Sequence, residues 1–257
     1  MLLRSVVYDL IEAEKSQKAI APLTQQYSAL NVEDAYQIQL EVIEKKINDG
    51  HKVIGKKVGL TSVAMQQMLG VDEPDYGHLL DNMKVNDGQT VKISELISPK
   101  VEAEIGFILD RDLVGPNVNY IDVLMATKYV VPAIEIIDSR IADWKIKLVD
   151  TVADNGSSAK VVVGEKLSQI EGLDLRSIGM SLYKNEELLT TGTGAAALGH
   201  PAQAVAWLAN KLNEFGISLK AGELILPGAL SGAIAVKQGD VISAQFGYLG
   251  NVSVTFE

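Results

Sequence analysis

The 257-residue sequence has no cysteine. Disulfides, thiolate nucleophiles and zinc–thiolate sites are excluded at once. Histidine is scarce: His51, His78 and His200 are the only three, so a cation site here has to be built mostly from oxygen donors. No apolar run approaches the roughly 20 residues that span a bilayer. The N-terminal MLLRSVVYDLIEAEKSQK lacks a signal-peptide pattern, because acidic residues interrupt a short apolar stretch and no small-residue cleavage site follows. The cytoplasm is the expected compartment. Positive charge is also short, with 23 Lys and Arg against 33 Asp and Glu and a net charge of −10. No basic stripe interleaved with aromatics runs along the chain, which disfavours nucleic acid as a partner. Such acidity serves solubility, and an anionic substrate would need a local positive feature, either a cation or a buried lysine.

Apolar residues make up 47% of the sequence, enough for the core of one domain over 1–257. The first fifty residues read as helical. One helix is expected over Val6–Lys15. A second starts at Asn31-Val32-Glu33-Asp34, a capping oxygen followed by early acids. Tyr36, Leu40, Ile43 and Ile47 mark its apolar face, and Gly50 stops it. From residue 51 the pattern turns strand-rich: 53–62, 101–109, 128–138, 158–165 and 177–189, the last with a turn at Lys184-Asn185. A short helix is expected over 63–70, and an amphipathic one over 200–216 with Ala204, Trp207, Leu208 and Leu212 on one stripe. Helices first and strands later, with few alternating units, predict an α+β fold.

Three acids stand where apolar strands should carry none. In VEAEIGFIL, Glu102 and Glu104 are two apart and share a face, with Val101, Ala103 and Ile105 behind them. Glu135 sits inside VVPAIEIID, flanked by isoleucines. A carboxylate buried there has to be paired, protonated or bound to a metal; Arg140 or a lysine is one available partner. The three acids together suit a hard cation, Mg²⁺ or Mn²⁺, with positions left for water and substrate.

E-x-E followed about thirty residues later by a glutamate in an apolar strand resembles the fumarylacetoacetase superfamily. The closer resemblance is to its branch of 2-oxopent-4-enoate hydratases and 4-oxalocrotonate decarboxylases of meta-cleavage aromatic breakdown. It runs nearly end to end, through VEDAYQIQ (32–39), VIGKKVGLTS (53–62), EPDYGHLLDNM (73–83), PAIEIIDSRI (132–141), DWKIKLVDTVADN (143–155), TGTGAAALGHP (191–201) and VAWLANKL (205–212). It implies a mixed β-sandwich or roll core, a Mg²⁺ or Mn²⁺ cofactor and a homo-oligomer, with a complex with another enzyme of that pathway as a further expectation. Carried over, the metal ligands fall on Glu102, Glu104 and Glu135. The active-site lysine falls on Lys57 and the acid of E-P-D-Y-G on Asp75. Asp154 and Asn155 are candidate substrate contacts. The glycines of TGTGAAALG read as close packing, since a phosphate loop would need a following lysine.

The implied activity is hydration of a 2-hydroxy-2,4-dienoate to a 4-hydroxy-2-oxo acid, with Lys57, depressed by burial, moving a proton and Asp75 activating water. Asp75 and the 143–147 run lean toward the hydratase. Ser157-Ser158-Ala159-Lys160 leans toward the decarboxylase, which would release CO₂ from 2-oxo-3-hexenedioate. A non-catalytic oligomeric partner with a structural cation is the alternative of another class. C–C hydrolysis is disfavoured, because no histidine is placed as a base: His51 and His78 read as surface and turn residues, and His200 as a helix start.

Overall fold

The computed structural model describes residues 2–63, 66–67, 70–71 and 73–257. The helices are α1 (Leu2–Ser16), α2 (Leu23–Gln26), α3 (Val32–Asn48), α4 (Tyr120–Ala126), α5 (Leu148–Ala153) and α6 (Pro201–Asn213). The strands are β1 (Val53–Gly59), β2 (Asp75–Leu80), β3 (Lys84–Asn86), β4 (Thr90–Val91), β5 (Lys100–Leu109), β6 (Thr127–Ile137), β7 (Ser158–Val163), β8 (Gly179–Lys184), β9 (Glu187–Thr193), β10 (Leu224–Leu226), β11 (Ile234–Ala235), β12 (Val241–Phe246) and β13 (Gly250–Phe256). Three helices come first and a strand-rich region follows from residue 53, with α4, α5 and α6 interspersed among its strands. Among the described residues no helix is long and apolar enough to cross a membrane.

Two mixed sheets form. The larger has eight strands in the order β2-β1-β10-β5-β6-β7-β3, with β11 also on β5. The smaller runs β4-β13-β12-β8-β9. One apolar cluster joins both sheets to the helices, through Leu10, Tyr36, Phe107, Ile134, Leu208, Val252 and Phe256 among others. A second cluster, including Leu79, Val131, Ala133, Val161 and Leu226, packs on the opposite face of the large sheet. On that face the residues of β6 run Val131, Ala133, Glu135, so it passes from apolar to acidic along the strand.

Local signals account for most elements. Asn31 caps α3 by accepting from Asp34 N, and Asp34 reaches back to Asn31 N, a complete capping box. The buried stripe of α3 is Ala35, Tyr36, Ile38, Gln39, Val42 and Ile43. Ile47 is instead 45% exposed, because the last turn runs past the body of the protein. The β8–β9 turn is centred on Asn185-Glu186, not Lys184-Asn185; both central residues have positive φ, 52° and 70°, as the twist of a tight hairpin requires. Of the helix expected over 63–70, residues 64, 65, 68 and 69 lie outside the described residues, and Val63, Gln66 and Gln67 are helical. Gly192 and Gly194 pack closely: a Cβ there would lie 1.9 Å from Leu230 O and 1.8 Å from Leu175 O.

Candidate metal centre and cavity

β5 and β6 are neighbours in the middle of the large sheet, and their antiparallel register sets Glu102 directly opposite Glu135. Paired residues share a face, so Glu102, Glu104 and Glu135 converge. One carboxylate oxygen from each lies within 4.8 Å of the others. Glu104 and Glu135 are fully buried, while Glu102 is partly exposed.

Lys57 comes from β1. In Gly55-Lys56-Lys57 the two lysines point to opposite faces. Lys56 Nζ pairs with Glu223 at 2.6 Å. Lys57 Nζ lies 3.6 Å from Glu135 Oε2 and donates to Gly156 O at 3.0 Å. Asp75 opens β2, antiparallel to β1 and paired with Gly59. Its Oδ2 accepts from Thr151 Oγ1 at 3.1 Å. Gly59 makes this meeting possible: a Cβ there would lie 2.1 Å from Asp75 Oδ1 and 3.0 Å from Lys57 Nζ.

The cluster is short of partners. Asp75 Oδ1, Glu104 Oε1 and both Glu135 oxygens are buried without a hydrogen bond among the described residues. Of the three glutamates, among the described residues, only Glu104 accepts a hydrogen bond, at Oε2 from Gly228 N at 2.7 Å. Burial and mutual repulsion push the carboxyls up: Glu102 to about 7 and Glu104 well above its ordinary range. Glu135 is raised by burial against the pull of Lys57. Burial lowers Lys57, but Glu135, Asp75, Glu102 and Glu104 outweigh it and hold the ammonium charged. The expected depression of Lys57 is therefore reversed in the metal-free protein. Unpaired, like-charged, buried oxygens that converge on one point fit a hard divalent cation.

The triad opens on a cavity of about 210 Å³ walled by Lys57, Asp75, Lys100, Glu102, Trp144 and Thr151 among others. A second cavity of about 250 Å³ shares Gly59, Leu60, Glu102 and Ala233 with it, and is otherwise lined by small or apolar residues and hydroxyls. Lys57 and Asp75 line the same cavity as Glu102.

Asp154 and Asn155 do not line the main cavity. Asp154 accepts from Arg140 Nε, from Arg140 N at 3.1 Å and from the Ser139 and Ser157 hydroxyls at 3.2 Å each. Asn155 is spent on the His78 backbone, accepting from its N–H at 2.7 Å and donating to its carbonyl at 2.9 Å. Both act one step removed. Asn155, Gly156 and Ser157 take three successive left-handed conformations, φ 56°, 59° and 54°. Such a turn persists only where its surroundings fix it, and it presents Gly156 O to Lys57.

His78 is fully buried on β2, not in a turn. Its Nδ1 lies 3.2 Å from Gln39 Oε1, and burial with Lys56 nearby lowers its pKa to about 3. His51 sits at the surface beside Asp81, and His200 caps α6. Sequence reasoning missed Lys100 and Thr151. Lys100 was readable, being two residues before Glu102 on the same strand face. Thr151 was not, because α5 is brought to β2 only by tertiary packing.

The family profile described as fumarylacetoacetate (FAA) hydrolase C-terminal matches residues 52–257. A 2-keto-4-pentenoate hydratase of Paraburkholderia xenovorans (strain LB400) is 51% identical over 248 residues, 96% of this chain and 92% of that protein. A 4-oxalocrotonate decarboxylase of Pseudomonas putida is 43% identical over 244 residues, 95% and 92% of the two chains. The solved structure of 4-oxalocrotonate decarboxylase from Pseudomonas putida G7, complexed with magnesium and adipate, superposes with a TM-score of 0.97 at 39% identity, covering 100% of this chain and 97% of that one.

Proposed function

The chain belongs to the fumarylacetoacetate hydrolase family, and from that premise we propose that it is a metal-dependent lyase that adds water to a 2-hydroxy-2,4-dienoate in meta-cleavage aromatic degradation. The observation that carries the hydratase reading is Asp75: buried, beside Lys57 at the triad, with Oδ1 making no hydrogen bond among the described residues. The 51% identity to a named hydratase, against 43% to a named decarboxylase, points the same way.

Glu102, Glu104 and Glu135 would hold a divalent cation, magnesium or manganese by the hardness of its oxygen donors, which supplies Lewis-acid polarisation of a 2-oxo group. Lys57 gives a proton to C5 of the dienol and is restored by the enol proton. That leaves a 2-oxo-3-enoate with an electrophilic C4. Asp75 Oδ1 takes a proton from the water whose oxygen bonds to C4, while Thr151 fixes the other carboxylate oxygen. The same proton ends on C3, so one water is consumed and the product is a 4-hydroxy-2-oxo acid. The Gly156 carbonyl and Glu135 orient Lys57 throughout.

A second reading has its own support. Ser157-Ser158-Ala159-Lys160 follows the decarboxylase pattern, and the match to the decarboxylase structure extends over the whole chain. In that reaction the diacid loses CO₂ and Asp75 activates no water. Incubation of Mg²⁺-loaded protein with 2-hydroxypenta-2,4-dienoate and with 2-oxo-3-hexenedioate, following the dienol chromophore and CO₂, decides between them. The hydratase consumes the first without CO₂, and EDTA stops it. Glu135→Gln lowers kcat about 10³-fold; Asp75→Asn lowers it about 10²-fold and leaves metal binding intact. CO₂ from the diacid, with Asp75→Asn fully active, overturns the hydration reading. The proposal extends to residues 1–257 acting as one catalytic domain, and to a cytoplasmic homo-oligomer able to complex a neighbouring pathway enzyme. Light scattering with and without that enzyme tests the assembly.

A further inference from the structure

Among Lys57, Arg140 and Lys100, of which Lys57 and Lys100 line the cavity, two are committed. Lys57 is engaged by Glu135 and the Gly156 carbonyl. Arg140 is buried against Asp154, the Asp138 carbonyl and the Ser158 carbonyl. Lys100 is the exception. It starts β5, shares a strand face with Glu102 and Glu104, and lines the cavity. Among the described residues its ammonium has no hydrogen bond and no salt bridge; it lies over the Trp144 ring, 4.2 Å from the centroid.

Trp144 is itself held in an unusual pose. Asp143 and Trp144 both have positive φ, 59° and 54°. The indole N–H donates to Ser98 O at 2.9 Å, so the ring is anchored at its polar edge. Backbone of this kind persists where its surroundings impose it. The result is a cation parked on an aromatic face at the rim of a cavity whose wall also carries Asp75 and Glu102. An ammonium gains less from a ring face than from a carboxylate.

We propose that Lys100 leaves the Trp144 ring to bind the substrate carboxylate bonded to the 2-oxo carbon. Its position favours this carboxylate over a distal one. Lys100 is one strand repeat from Glu102, so the anion it reaches is next to the group that the triad engages. Among the described residues, the second cavity beyond Glu102 has no lysine, arginine or histidine in its wall, so a second carboxylate finds no counter-charge from them there. The inference rests on the 2-oxo acid reading above and adds to it the residue that selects the acid end.

The test uses the Mg²⁺-loaded protein and 2-oxopentanoate, a saturated analogue that cannot turn over. In a Trp207→Phe background the remaining indole is Trp144, so its fluorescence reports departure of the ammonium. Lys100→Met is expected to weaken 2-oxopentanoate binding about 10- to 100-fold and to abolish the fluorescence change, with the Mg²⁺-induced rise in Tm unchanged. Lys100→Arg restores most of the affinity. With the dienoate substrate, Lys100→Met raises KM while kcat stays within about twofold. Equal binding by Lys100→Met and its parent overturns the inference alone. Weakened binding of 2-oxohexanedioate but not of 2-oxopentanoate also overturns it, by assigning Lys100 to the far carboxylate. Failure of the parent protein to bind any 2-oxo acid overturns the functional reading, and this inference falls with it.

Discussion

Arg140 and Asp154 are buried as thoroughly as Glu104 and Glu135, at 6% and 2% exposure against none, yet the two clusters are built to opposite ends. Around Arg140 nearly every donor meets an acceptor: the Asp154 side chain and carbonyl, the Asp138 carbonyl and the Ser158 carbonyl. Around the glutamates, like charges face one another and, among the described residues, three carboxylate oxygens have no hydrogen-bond partner. The first arrangement spends its electrostatics on holding the 154–157 turn. The second stores repulsion that a bound cation relieves. Burial of charge alone does not mark a functional site; burial without satisfaction does.

The largest effect expected from breaking this contrast is on the satisfied side. Arg140→Met leaves Asp154 buried without its counter-charge and should cost about 3–5 kcal/mol of stability, read from urea unfolding with and without Mg²⁺. A loss below about 1 kcal/mol would show that the pair is not what fixes the turn. The opposite sign is expected at the triad. Glu104→Gln removes a repelled buried charge, so the metal-free protein should gain about 1–3 kcal/mol while most of the Mg²⁺-induced rise in Tm disappears. A destabilised metal-free variant that keeps its Mg²⁺ response would refute the reading of the triad as a cation site.

The third effect is the pH dependence between pH 5 and 7.5, and the two regions pull it in opposite directions. The triad carboxyls are raised in the fold, Glu102 to about 7. Their contribution is present below the unfolded value of about 4.5 and is lost as pH rises through 7. A bound cation, which needs the ionised form, cancels that loss. His78 is depressed to about 3. Its contribution is present above the unfolded value of about 6.5 and is lost as pH falls toward 3, at up to about 1.4 kcal/mol per pH unit. The gap in Tm between Mg²⁺-loaded and metal-free protein should therefore widen from pH 5 to pH 7.5, and NMR should find the His78 ring neutral at pH 5. A gap that narrows, or a charged ring, contradicts the assignment.

What could be read without the fold had a local period. Glu102 and Glu104 share a face because strands repeat every two residues. Asn31 and Asp34 cap α3 because a capping box needs only four residues. Lys57 and Asp75 were named through resemblance, and the structure shows why they meet: β1 and β2 pair, and Gly59 leaves room between them. The partners of Asp154, Asn155 and His78 were not readable, for a common reason. They are Arg140, the His78 backbone and Gln39, from 14 to 77 residues away in the chain. No local pattern encodes which polar group is satisfied by a distant one.

Composition and local period fixed a helical start and a strand-rich remainder, the absence of thiol chemistry, and an excess of carboxylate on apolar strands that had to be answered by a cation or a counter-charge. Those properties depend on composition and on periods of two or 3.6 residues. The tertiary structure alone decided that Glu135 stands opposite Glu102, that Lys57 is the lysine facing the acids while Lys56 is neutralised by Glu223, and that Lys100 waits on Trp144. Strand register and long-range packing set these, because a one-residue slip would send each of those side chains to the other face of the sheet.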